Sequence, residues 1–221
     1  MIREIAPHVY ERRVHPEGVT WFLNTFLITT DQANVYIDSG LGSRAIEDFK
    51  SFADPALPNI LIYTHYHFDH VWGSGALSFA KVIACEPFNS LLQNDFELSY
   101  AYFKELQEGK VGCVFADTLI EYKTQLGPLT LLPAPGHTQD GLVIIDGRSK
   151  LAFMGDNLPD QGKGLFPELE DKEAYLKTLQ AVKELQPKTL VGSHCDEVSP
   201  PQLDQIVKSL TSLKKDESFL L

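Results

Sequence analysis

Apolar residues come in short unbroken or alternating bursts along the first third of the chain and later fall at helical spacing. Trp21 to Thr29 and Val35 to Ile37 are rich in aromatic and β-branched residues around Asp31-Gln32, which predicts a hairpin closed by Asp38-Ser39-Gly40. With Ser43 as a cap, Ala45, Ile46, Phe49 and Phe52 recur at helical spacing until the Pro55 to Pro58 stretch. Ile60, Leu61, Ile62 and Tyr63 then form a continuous apolar run, the mark of a strand buried on both faces. From Pro87 to Gln107 the positions Phe88, Leu92, Phe96, Phe103 and Leu106 predict one helix, or two broken near Ser99, with Gly109 as the stop. Strands follow at Leu129 to Leu132, Leu142 to Ile145, Leu151 to Met154 and Thr189 to Val191. Tyr175, Leu176, Leu179 and Val182 stripe a helix over 171–185. Ser199, Pro200 and Gln202 open a last helix whose buried stripe is Leu203, Ile206, Val207 and Leu210. Strand runs mixed with amphipathic helices, without a linker or repeat, predict an α/β fold with helices on both sides of sheets, in one domain over 1–221.

Composition narrows the partners. A formal charge of −11, from 19 Lys+Arg against 30 Asp+Glu, repels phosphate backbones and anionic membranes, so neither nucleic acid nor membrane is expected. Three scattered cysteines, Cys85, Cys113 and Cys195, make no disulfide framework and fit a reducing compartment. No signal-peptide pattern precedes the first strands, which makes the cytoplasm the expected location. Apolar runs fall short of the roughly 18–20 residues needed to cross a bilayer.

The run Ile60–Tyr63 opens into Thr64-His65-Tyr66-His67-Phe68-Asp69-His70. At this composition a chance His-x-His-x-Asp-His has a probability of ~0.0005, so the match is specific. Imidazoles at i and i+2 on extended backbone leave on the same side, so His65 and His67 can share one cation. Asp69 and His70, after the chain turns, can supply an oxygen and a nitrogen to a second cation beside it. Three later segments repeat one context, an apolar strand followed by small residues and a ligand. Leu129–Leu132 leads through Pro133-Ala134-Pro135-Gly136 to His137, Leu151–Met154 through Gly155 to Asp156, and Thr189–Val191 through Gly192-Ser193 to His194. A rigid sheet aims each ligand from a strand exit, and the glycines permit close backbone approach.

The order His-x-His-x-Asp-His, Gly-His-Thr, Gly-Asp and a final small residue plus His resembles the metallo-β-lactamase superfamily, including its glyoxalase II-like metallohydrolases. The likeness covers nearly the whole chain. Asn24 to Ile28 with Ile37-Asp38-Ser39-Gly40 matches the strand and turn that open that family's domain, and Thr64 and Gly73 flank the main motif. The resemblance implies a four-layer αββα sandwich and a binuclear metal site. It assigns His65, His67 and His137 to the first metal, Asp69, His70 and His194 to the second, and Asp156 to the bridge. Two divalent ions, zinc first with iron or manganese as alternatives, would lower the pKa of a shared water toward 7 and supply a hydroxide nucleophile. Asp69 is then the expected catalytic carboxylate, orienting that nucleophile and passing its proton to the leaving group. Asp38 and Thr64 are expected behind the ligands, Asp38 fixing an imidazole.

The implied activity is hydrolysis of an ester, thioester or lactone of a small molecule. The bridging Asp156 is similar to that of glyoxalase II and lactonases, and weighs against the antibiotic hydrolases. Only 27 residues (195–221) follow His194, fewer than the helical domain of glyoxalase II needs. The charge weighs against the family's nucleases, and His67 with the length against the flavodiiron reductases. Two other readings are carried: a persulfide dioxygenase holding one iron on His65, His137 and Asp156, and a metal-binding sensor without catalysis. His8 and His15 lack ligand spacing, and Cys195 reads as a buried structural thiol. Tyr66 and Phe68 alternate with the ligands and face the fold. The aromatic helix within 86–109 is read as core or as a cap over the site, and Lys163 and Phe166 as pocket-lining candidates.

Overall fold

The computed structural model describes residues 1–161 and 167–212, so Lys163 and Phe166 lie outside the described residues. The chain divides into two compact units, Met1–Glu121 and Tyr122–Leu221. Each is built on one sheet.

The first unit carries β1 (Ile2–Ala6), β2 (Val9–Val14), β3 (Leu23–Thr29), β4 (Asn34–Ile37), β5 (Asn59–Ile62), β6 (Lys81–Cys85) and β7 (Thr118–Ile120), paired in that order. The first four strands run antiparallel and the rest parallel, because helical segments occupy the later connections. These are α1 (Ser43–Glu47), α2 (Phe68–Val71) and α3 (Phe88–Phe103), each followed closely by a 3-10 turn. The predicted hairpin is β3–β4, turned by Thr30, whose Oγ1 accepts from the amides of Gln32 and Ala33. Strands β1, β2, β6 and β7 were not foreseen; β1 and β2 carry charged residues among apolar ones, and β7 is only three residues long. Ser43 does not cap α1. Gly42 holds the N-cap position without a side-chain bond, and the Ser43 hydroxyl instead accepts from the Lys110 amide. Nor does Ser99 break α3: it sits inside one helix and returns its hydroxyl to the Phe96 carbonyl. Trp72, Tyr36, Tyr63, Phe49 and Phe88 fill this unit's core. Beside it Arg12 is clamped by Asp48 (2.7 Å) and Glu108 (3.0 Å), tying β2 to the chain after α1 and after α3.

In the second unit, β8 (Thr124–Leu126), β9 (Leu129–Pro133), β10 (Leu142–Asp146), β11 (Leu151–Phe153) and β12 (Thr189–Val191) pair in the order β12-β11-β10-β9-β8. Only β11 and β12 are parallel, joined through α4 (Lys172–Glu184). Asp171 caps α4 by accepting from the amides of Glu173 and Ala174. Ahead of α5 (Pro200–Ser212), the Gln202 side chain reaches back to the Ser199 amide. Tyr175, Leu179 and Val182 from α4 and Leu203, Ile206 and Leu210 from α5 pack with Val143, Ile145, Ala152 and Leu190 of the sheet. That packing explains both stripes. No helix among the described residues is long and apolar enough to cross a membrane.

Candidate metal centre

In the first unit the chemistry lies beyond the carboxyl ends of β4 and β5, where loops leave a parallel sheet. Ile37 pairs with Ile62, and the Asp38 amide donates to the Ile62 carbonyl, so Asp38 and the His65–His70 loop leave adjacent strands side by side. Asp38 takes a left-handed conformation (φ 60°) that turns its carboxylate back onto the loop. Its Oδ1 accepts from the Thr64 amide at 2.7 Å, and its Oδ2 accepts from the Thr64 hydroxyl at 2.7 Å and from His70 Nδ1 at 2.8 Å. A proton held on Nδ1 leaves the His70 lone pair on Nε2, which lies 3.8 Å from Asp69 Oδ2. His65 Nε2 and His67 Nδ1 approach to 2.9 Å, with the rings edge to face. His65 also stands 4.0 Å, ring centre to ring centre, from His70. His65, Asp69 and His70 are buried, and His67 is half-buried.

Close packing of backbone holds this loop against the Asp38 turn. A Cβ on Gly73 would stand 2.1 Å from the Ser39 carbonyl oxygen and 2.4 Å from that of Gly42, so only glycine fits. Ser39 adds its own tie, its amide (2.7 Å) and hydroxyl (3.0 Å) both donating to the His70 carbonyl.

The second unit presents three residues from one sheet edge. β9 and β11 are both antiparallel to β10, and β12 is parallel to β11, so all three strands end on the same side. His137, Asp156 and His194 follow those ends. Asp156 Oδ2 lies 3.3 Å from His194 Nε2 and 3.6 Å from His137 Nε2, so one carboxylate oxygen faces two imidazoles. His137 Nδ1 donates to the Glu168 carbonyl at 2.8 Å, which leaves its lone pair on the Nε2 facing Asp156. The segment after Glu168 grips the same loop, Glu170 and Asp171 donating their amides to the Gly136 carbonyl. Gly136 (φ 151°) is forced by α4, because a Cβ there would meet Tyr175 Cβ at 2.5 Å. The Tyr175 hydroxyl donates to the Asn157 carbonyl (2.8 Å), fixing the chain just past Asp156. Burial pushes that phenol up, so it stays protonated as a donor.

The donor chemistry of each set fits a divalent metal. Nitrogen and oxygen ligands about 2.0–2.1 Å from zinc stand about 2.9 Å apart at right angles and about 3.3 Å apart in a tetrahedron. The spacings of 2.9, 3.3, 3.6 and 3.8 Å fall at or a little beyond those edges. Nε2 lone pairs turned toward a carboxylate repel it unless a cation or proton lies between them.

The other sequence candidates separate from these sets. His8 and His15 are exposed, His15 edge-on to Phe22, and neither joins a ligand group. Cys195 is buried and burial pushes its thiol up to about 12, which keeps it protonated. Phe68 stacks on Phe103 and lies tilted against Trp72, and Tyr66 touches His67 edge to face. Sequence reasoning missed Ser39, Glu168 and Tyr175. Glu168 acts through its backbone carbonyl and Ser39 through its amide and hydroxyl on the His70 carbonyl, which no residue pattern announces, and Tyr175 was visible only as a member of an apolar stripe.

Comparison with known proteins gives a consistent result. A family model described as the metallo-beta-lactamase superfamily matches residues 19–194. A hydroxyacylglutathione hydrolase of Bdellovibrio bacteriovorus is 31% identical over 187 residues, 81% of this chain and 66% of that protein. The thioesterase pkgB of Emericella nidulans is 26% identical over 169 residues, 72% of this chain and 43% of that one. The chain spans 43–61% of the length of the first curated relatives it matches. A solved metallo-beta-lactamase from Erythrobacter litoralis shares the fold, with a TM-score of 0.75 at 19% identity over 96% of both chains.

Proposed function

Because this chain belongs to the metallo-beta-lactamase superfamily, we propose that it is a metal-dependent hydrolase of thioesters, with esters and lactones as slower substrates. The observation that carries the proposal is Asp156, one oxygen of which faces His194 Nε2 at 3.3 Å and His137 Nε2 at 3.6 Å, the His137 tautomer being set by the Glu168 carbonyl. On this reading His65, His67 and His137 would hold one ion and Asp69, His70 and His194 another, with Asp156 available to both; zinc is the first choice and iron or manganese the alternatives. When bound, such ions would make water acidic enough to serve as a nucleophile near pH 7 and would polarise the attacked carbonyl.

The chain's own residues do the rest. Asp38, held by Thr64, fixes the His70 imidazole, and the Glu168 carbonyl does the same for His137. Asp69 accepts a proton from the attacking water as the new carbon–oxygen bond forms. It returns that proton to the departing sulfur as the carbon–sulfur bond breaks, which closes the balance at one water consumed and one acid and one thiol released. A thiol has a pKa near 8.5, so its anion leaves with little help from a proton donor, whereas an alkoxide needs a full transfer. That difference favours thioesters at a site offering one carboxylate for the task. The hydrolase and thioesterase names of the two curated relatives point the same way.

The test pairs metal content of protein purified without added metal with turnover of a thioester, ester and lactone panel and an oxygen-electrode trace on a persulfide. About two zinc ions per chain, thioester cleavage that chelation abolishes and zinc restores, and no oxygen uptake are expected. One iron with persulfide-dependent oxygen uptake overturns the proposal in favour of a dioxygenase. Metal-dependent stability without turnover of any of these substrates overturns it in favour of a sensor.

A further inference from the structure

Helix α3 carries one apolar stripe, Phe88, Leu92, Phe96, Tyr100 and Phe103, at spacings of three and four residues. A stripe of that kind is normally buried along its whole length. Here burial falls away steadily: Phe88 and Leu92 are fully buried, Phe96 and Tyr100 half-buried, and Phe103 is 43% exposed. Tyr102 (74% exposed) and Leu98 (58%) widen the open apolar surface at the same end. That end meets the ligand loop. Phe103 stacks on Phe68 with ring centroids 4.4 Å apart and planes within 6°, and Phe68 stands in sequence between His67 and Asp69. Trp72, 5.0 Å from Phe68 and 5.5 Å from Tyr100, anchors the stack on the core.

We propose that the Phe68–Phe103 stack with Tyr102 is the acyl subsite, and that the preferred substrates are thioesters of medium-chain aliphatic or arylacetic acids rather than acetyl thioesters. The inference rests on the thioester reading above. Phe68 directly precedes Asp69 in sequence, and on this proposal the chain extending from the carbonyl that Asp69 serves lies along this stack. An apolar wall open to solvent there costs the free protein hydration that an acyl chain relieves. A short acyl group leaves the wall wet. Each methylene laid on a surface covering about half of it contributes about twofold, so the four methylenes separating hexanoyl from acetyl contribute about 15-fold.

Two measurements test this on zinc-loaded protein. In the first, kcat/KM is read for acetyl, butyryl, hexanoyl, decanoyl and phenylacetyl thioesters of N-acetylcysteamine. It should climb about 15-fold from acetyl to hexanoyl, Phe103→Ala should erase most of that ratio, and Phe103→Leu, which keeps an apolar side chain, should retain most of it. In the second, binding of decanoate and of acetate is followed by Trp72 emission in a Trp21→Phe background, these being the two tryptophans of the chain. Decanoate should bind at least tenfold tighter than acetate, and Phe103→Ala should remove the difference. Turnover with a flat acyl series, or decanoate no tighter than acetate, overturns the subsite. Phe103-dependent decanoate binding without turnover of any thioester upholds the subsite and overturns the hydrolase reading instead.

Discussion

Removing the Asp38 side chain should loosen the His65–His70 loop even before any metal is added. Its carboxylate is 3% exposed and accepts from the Thr64 amide, the Thr64 hydroxyl and His70 Nδ1 at 2.7–2.8 Å. Bonds to a charged acceptor contribute about 1.5–3 kcal/mol each. The Thr64 hydroxyl can turn to another acceptor, so Asp38→Ala strands two buried donors, a loss of about 3–6 kcal/mol. Relief of the carboxylate's own desolvation offsets part of that, while alanine at φ 60° adds about 1 kcal/mol of backbone strain. A net destabilisation of about 3 kcal/mol lowers Tm by about 6–12 °C in a chain of this size. Thermal unfolding of chelator-treated protein reads this directly. Asp38→Asn keeps the shape and tolerates the left-handed backbone, so it should lose only about 1–2 kcal/mol. It no longer accepts from His70 Nδ1 as a carboxylate does, and should weaken metal binding about 10–100-fold in a competition titration. An Asp38→Ala protein melting within 2 °C of wild type would refute the stability argument. An Asp38→Asn protein with undiminished metal affinity would refute the orienting role.

Gly73→Ala should be disruptive, because its Cβ lands 2.1 Å from a backbone oxygen that cannot rotate away; a loss of about 2–3 kcal/mol is expected in urea unfolding, and an unchanged midpoint would count against the packing account. Asp146 closes the turn between β10 and β11: burial raises its carboxyl, but hydrogen bonds from Ser149 and Arg148 outweigh it and hold the group below the usual range. A depressed folded pKa gives stability present above the unfolded value near 4 and lost as pH falls through the folded value. The advantage of wild type over Asp146→Asn should therefore be full at pH 6 and shrink on acidification below about pH 4. Burial pushes the Cys113 and Cys195 thiols up to about 12, so a thiol reagent at pH 8 should label neither in the native protein and all three cysteines after unfolding. Rapid native labelling of Cys195 would contradict its placement.

The candidate ligand set was legible in the residues because metal chemistry restricts candidates to few side chains, and the His65–His70 run, the Gly-His at 136–137, the Gly-Asp at 155–156 and the small residues before His194 each follow a strand written in apolar letters. Helices α4 and α5 were legible for a similar reason, since stripes at helical spacing and the Ser199–Gln202 pairing are local. Strands β1, β2, β6, β7 and β8 were not, because short or charged strands at or next to a sheet edge take their stability from neighbours rather than from their own pattern. What makes the site work was also beyond local reading. Asp38 reaches Thr64 and His70 only because β4 and β5 pair in register across 26 residues of chain, and His137 receives its tautomer from the backbone of Glu168, 31 residues on. Sequence names the atoms a metal can use, since ligand chemistry belongs to side chains. Register, backbone carbonyls and the glycine-tight approaches at Gly73 and Gly136 decide where those atoms point, and they exist only once the chain has folded.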